Sequence, residues 1–142
     1  MFYVSFGIAI VSSMLYHVFQ KAITPAVNPV ISLLVTYFMA FSLTLLLLLI
    51  FPLKENLLDS VRQVNWASIA LALAIVGLEI GFLLAYRSGW DIGLAGVATN
   101  VAAAILLLPT GIILFKEQPS LLNIIGVGIC IMGLVMVNAS NG

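Results

Sequence analysis

The sequence predicts an all-α integral membrane protein built as a bundle of five transmembrane helices, and two observations carry that reading. Of the 142 residues, 63% are hydrophobic and 7% are charged, with a mean hydropathy of +1.27, whereas soluble domains carry about 25% charged residues. The charged side chains are also confined to Lys21, Lys54, Glu55, Asp59, Arg62, Glu79, Arg87, Asp91, Lys116 and Glu117. They divide the chain into apolar runs of about the ~20 residues that a helix needs to cross a ~30 Å hydrocarbon core. So few charges cannot give a 15.2 kDa globule a wetted skin, which excludes a soluble enzyme. The length fits a single membrane domain over residues 1–142.

The first span covers residues 2–20 and is closed by Lys21. No basic region precedes it and no small-residue cleavage site follows it, so it reads as a retained span and not a signal peptide. The segment Thr24-Pro25-Ala26-Val27-Asn28-Pro29 interrupts the helix, because proline disfavours a helical residue before it. The second span, residues 30–51, contains five consecutive leucines, Leu45 to Leu49. The connection after it, Lys54 to Asn65, places Leu57, Leu58, Val61 and Val64 at helical spacing with Asp59 and Arg62 on the other side. That pattern suits a short helix over residues 55–65 lying in the interface.

Residues 66–86 form the third span, which includes Glu79; one acid is costly in lipid without preventing insertion. The fourth span, residues 92–115, contains Pro109-Thr110-Gly111. A kink is expected there and not an end, since Ile112 to Phe115 continue the apolar run. Residues 121–138 make the fifth span. Strands are excluded because the apolar runs are continuous and not alternating. Trp66 and Trp90 stand at span ends, where amphipathic rings prefer the headgroup level.

Alternating the five spans puts Lys54, Arg62 and Lys116 on the N-terminal side of the membrane and Lys21 and Arg87 on the other. The positive-inside rule works through such differences, and three against two is nearly balanced. Formal net charge is zero and no basic cluster exists, so nucleic acid, which requires many phosphate-neutralising side chains, is excluded as a partner. Cys130 is a lone cysteine. One histidine and one cysteine in separate spans give no ligand cluster, so neither a metal nor a cofactor is expected.

Several polar residues inside the spans are candidates for transport chemistry. Glu79 is the acid nearest mid-span, and intramembrane carboxylates normally face a bundle interior or a hydrated cavity. It can bind and release a proton or hold a cationic group; the alternative is a structural bond to a neighbouring Ser, Thr or Asn. Tyr86, seven residues on, shares its face. In the first span Ser13, His17 and Gln20 form one polar stripe at i, i+4 and i+7, with Tyr16 adjacent. His17 can titrate near neutrality, or it is simply a hydrated interfacial side chain. Lys21 reads as snorkelling to the headgroups. Gly96 and Asn100 set a bare backbone beside a side-chain amide, suited to a polar substrate group or to an interhelical hydrogen bond. Gly77, Gly81 and Ala85 form a small-residue ladder that permits close helix approach. Glu79 is offset from those glycines by about 200°.

Near its end the chain becomes recognisable. Leu84-Ala85-Tyr86 leads into a span closing with Leu114-Phe115-Lys116-Glu117-Gln118, followed by Ile124-Ile125-Gly126 and Ile129-Cys130-Ile131-Met132-Gly133. These residues resemble the second half of a small multidrug resistance protein and the end of an EamA-like half-unit, both of the drug/metabolite transporter superfamily. The five-span count resembles the EamA-like unit. The resemblance covers nearly the whole chain and is strongest over residues 84–138. Where small multidrug proteins carry a membrane glutamate, two turns before a lysine resembling Lys21, this chain has Ser13. Thr99 stands roughly where those proteins place a substrate-wall tryptophan, and EamA-like units tend to have a proline near Ala104, whereas this chain has Pro109. A drug-cation antiporter of that type is therefore not expected. The span holding Gly126, Cys130 and Gly133 corresponds to the small multidrug dimer contact, a role the resemblance carries over; internal packing is the alternative.

Secondary transporters commonly bind substrate between two inverted repeats. An odd-span unit has its termini on opposite faces, so a second copy inserted upside down, or a homologous partner subunit, completes the pair. The near-balanced charges permit the first. The reading is a small secondary transporter of a metabolite or organic cation in the plasma membrane (a prokaryotic inner membrane). It works as an antiparallel homodimer, with coupling to protons through Glu79. The alternatives are a non-transporting membrane subunit and half of a lipid-linked sugar flippase. No nucleophile–base–acid set can be assembled for covalent catalysis.

Overall fold

The computed structural model describes residues 2–53 and 56–139, and within them all regular structure is helical, with no strand. The helices are α1 (Phe2–Ala22), α2 (Pro29–Ile50), α3 (Leu57–Arg62), α4 (Trp66–Arg87), α5 (Ile92–Phe115) and α6 (Leu121–Ala139). Four of them, α1, α2, α4 and α5, are long and apolar enough to cross a membrane, whereas the apolar stretch of α6, Leu121–Val137, is shorter. The chain is thus compatible with a multi-pass membrane bundle.

Side chains at the helix ends explain the boundaries. Pro29 occupies the first helical position of α2, where its missing N–H costs nothing and its φ is already set. The Asn28 side chain accepts from the Val30 N–H at 2.9 Å, so α2 starts one residue earlier than the apolar run suggests. Asn65 repeats this cap at α4, accepting from Ala67 N–H at 3.0 Å, and Ser120 Oγ accepts from Asn123 N–H at 3.3 Å at the start of α6. Helix α3 is shorter than the expected 55–65. Its backbone closes in a turn through Gln63 and Val64, and Asn65 then opens α4. Lys54 and Glu55, where that expectation begins, lie outside the described residues. An exposed Asp59–Arg62 ion pair of 3.7 Å spans one turn of α3.

Helix α5 runs through Pro109 without ending. The Thr110 hydroxyl donates to the Leu106 carbonyl at 2.6 Å, adding a side-chain link where the proline contributes no amide. The helix stops at Lys116, whose φ of 54° is left-handed, and the N–H groups of Lys116 and Glu117 both turn back to the Gly111 carbonyl. Glu117 folds against Gly111 so closely that a Cβ there would lie 2.5 Å from Glu117 Oε2.

The chain divides into two units, Met1–Ser88 and Gly89–Gly142. In the first, α4 packs against both α1 and α2. Leu33, Phe82, Leu83 and Tyr86 form its apolar core, with Gln20 and Ser32 buried beside them. Arg87, the last residue of α4, donates from Nη2 to the Val27 carbonyl at 2.6 Å, so α4 finishes beside the loop that ends α1 and begins α2. In the second unit α5 packs on α6, burying Ala95, Gly96, Val101 and Gly111; Val127, Ile131 and Leu134 form the half-covered stripe of α6. Elsewhere large apolar side chains, all of Leu45 to Leu49 among them, face outward, as they do on helices solvated by lipid.

Candidate functional site

The site lies in the first unit, where α1 and α4 meet two turns before the end of α4. Gln20 has only 6% of its surface exposed. Its Nε2 donates to two atoms of one residue: the Glu79 backbone carbonyl at 2.8 Å and the Glu79 Oε2 at 3.0 Å. Each bond alone would orient an amide; together they fix the carboxylate of Glu79 to its own helix and both to α1. Glu79 is half-buried. It lies eight residues before Arg87, about 12 Å along the helix at 1.5 Å per residue.

Around this clamp stands a set of rings. Tyr86 Oη and His17 Nδ1 share a hydrogen bond of 2.8 Å, whose direction follows the histidine tautomer. Phe82 contacts Tyr16 edge-on at 5.8 Å between centroids and His17 at 4.7 Å, and stacks on Tyr86 at 5.9 Å. Lys21 Nζ lies 5.9 Å from the centroid of the Tyr86 ring, within reach of a cation–π attraction. The polar stripe of α1 and the Glu79–Tyr86 face of α4 therefore interlock. Sequence periodicity placed the residues on those two faces, and the structure joins the faces to each other.

Two further residues belong here that periodicity did not single out. The hydroxyls of Tyr16, on α1, and Tyr37, on α2, are both buried without a hydrogen-bond partner. Tyr37 also lines two adjoining apolar hollows between α2 and α4, each of about 240 Å³. One is bounded by Val30, Leu33, Leu34, Val76 and Ile80, the other by Ala72, Ile75 and Val76.

The remaining candidates lie elsewhere. Ser13, one turn before His17, is exposed. Thr99 and Asn100 are exposed on α5, in the second unit. Gly77 and Gly81 face open space, so α4 meets α1 and α2 through its Glu79–Phe82–Leu83–Tyr86 side and leaves the glycine ladder uncovered. Gly126 and Gly133 also face open space, and Cys130 is exposed. Among the described residues, no three His, Cys, Asp or Glu side chains gather as a metal site requires.

Chemically, the site offers one carboxylate, one amide, one imidazole and three phenols, two of the phenols without a hydrogen-bond partner. A carboxylate so placed can take a proton or a cation, and each exchange alters the bond that holds α1 to α4. Compared with family models, curated proteins and solved structures, the chain matches none.

Proposed function

We propose that the chain is a small secondary transporter that moves a metabolite or organic cation by alternating access. Glu79 is its proton- or substrate-binding acid. The observation that carries this reading is the half-buried Glu79 in a membrane-length helix, tied to Gln20 and packed against two helices that each bury a phenol without a partner. Intramembrane acids held in such a way mark ion and substrate paths.

In this reading α6 is the fifth crossing, and two copies insert antiparallel in the plasma membrane of a prokaryote to build the cavity between inverted repeats. The uncovered glycine ladders of α4 and α6 support that assembly, because small residues allow backbones to approach closely. The resemblance of residues 84–138 to EamA-like half-units supports reading the chain as a drug/metabolite transporter.

The reading is tested by reconstituting purified protein in proteoliposomes and following uptake of organic amines under an imposed pH gradient. Glu79→Gln is expected to abolish pH-driven flux while leaving assembly intact. Undiminished coupling in that variant removes Glu79 from the mechanism.

A further inference from the structure

We infer that the Glu79 site selects a primary ammonium group, R–NH₃⁺, carrying an aliphatic chain, over cations that have no N–H to donate. The inference rests on the carrier reading above and names its substrate class.

Three helices contribute to the site. Glu79 comes from α4. Tyr16 comes from α1, one turn before the Gln20 that grips Glu79, and its ring meets Phe82, three residues after Glu79. Tyr37 comes from α2 and lines its hollow with Val76 and Ile80, which flank Glu79 along α4. Both phenol oxygens are buried and unbonded. A buried hydroxyl without a partner is costly and such groups are uncommon in folded proteins, so two of them on the helices that pack against the one bearing Glu79 mark a place where a guest completes the bonding.

The guest's chemistry follows from what those oxygens lack. An ammonium group has three donors and no acceptor, while a phenol oxygen accepts as well as donates. One N–H to the Glu79 carboxylate and one each to the Tyr16 and Tyr37 oxygens satisfy guest and site together. A quaternary ammonium neutralises the carboxylate but leaves both phenols unbonded. The aliphatic part follows from the neighbouring hollow, whose lining is apolar and runs along α2 from Tyr37 to Val30. Seven residues of helix span about 10 Å, close to the length of an extended octyl chain.

The test compares octylammonium with octyltrimethylammonium, which partition similarly into lipid and differ in N–H donors. Binding to the full chain in zwitterionic nanodiscs is measured by titration calorimetry against empty nanodiscs. Tyrosine-ζ-¹³C NMR reports on the two phenols. The expected result is binding of octylammonium at least about tenfold tighter than its quaternary analogue, with the Tyr16 and Tyr37 signals shifting only for the former. Tyr16→Phe and Tyr37→Phe should each weaken octylammonium about three- to tenfold, the worth of one hydrogen bond, and leave the quaternary probe unchanged. Equal affinity for the two probes in the unmodified protein overturns the inference. So does displacement of octylammonium by millimolar sodium through the same two tyrosines, which assigns the oxygens to a metal ion. Flux is a separate readout. Selective binding without transport leaves the site and removes the carrier, whereas transport of both probes without preference leaves the carrier and removes the site.

Discussion

The grip of Gln20 on Glu79 can be measured as a coupling energy. Replacing Gln20 with Met keeps its length and removes both bonds, the one to the Glu79 carbonyl and the one to Oε2. In a Glu79→Met background the same change removes only the carbonyl bond, so the difference isolates the carboxylate bond. Hydrogen bonds to charged groups contribute ~1.5–3 kcal/mol in soluble proteins. Interhelical polar pairs in membranes average ~0.6 kcal/mol and reach ~1.7 kcal/mol. At 3.0 Å, with the amide almost wholly buried, this pair belongs near the upper membrane value, about 1.5 kcal/mol. The assay is reversible unfolding in mixed lipid–SDS micelles, followed by circular dichroism, for the unmodified chain, both single variants and the double variant. A coupling below about 0.3 kcal/mol, within the additivity expected of independent sites, would show that the amide does not recognise the carboxylate. The clamp would then be only a bond to the helix backbone.

Three further outcomes follow from the second unit and from the topology. The three atoms that would lie nearest a new Cβ at Gly111 all belong to the Glu117 side chain. Gly111→Ala should therefore change stability by less than about 0.5 kcal/mol alone, yet stabilise by about 1 kcal/mol in a Glu117→Ala background, where helix propensity acts unopposed; a loss above ~2 kcal/mol in the single variant would mean that backbone, not Glu117, is obstructed. Lys116→Gly should raise stability by about 0.5–1 kcal/mol in the same micelle assay, because a left-handed φ strains any residue with a Cβ; a loss there would mean that the lysine side chain outweighs the strain. With Cys130→Ala and Asn141→Cys, an impermeant thiol reagent should label about half of the molecules from outside intact cells, as insertion in two orientations requires. Labelling of all or none would refute the antiparallel homodimer and turn the search to an oppositely oriented partner.

Most of the fold was legible because its determinants are local. The spacing of Lys21, Arg87 and Lys116 delimits apolar runs, and Pro29, Asn28 and Asn65 mark helix starts through their own backbone chemistry. The faces of the site were legible for the same reason, since His17 with Gln20 and Glu79 with Tyr86 recur at helical spacing. That these two faces meet was not, because their hydrogen bonds join residues 59 and 69 positions apart and no periodicity spans such distances. Tyr37 was hidden differently: one phenol on a leucine-rich helix has no companion to form a stripe. The glycine ladder of α4 illustrates a third limit. Small residues announce that a surface can be approached closely, but spacing does not say by what, and among the described residues of this unit no side chain comes near Gly77 or Gly81.

The long sequence separation of the Gln20–Glu79 clamp has a consequence for how the protein is made. At ~5–20 residues per second of synthesis, 59 residues take about 3–12 s, so α1 is fully translated several seconds before its partner exists. During that interval an amide and an imidazole have no α4 to bond, and hydrocarbon offers them nothing in exchange. The first helix therefore waits at the headgroups or against the insertion machinery, and it seats only when α4 arrives. Chains cut short after α2 keep that exposed polar stripe permanently and should be cleared rapidly by membrane quality control.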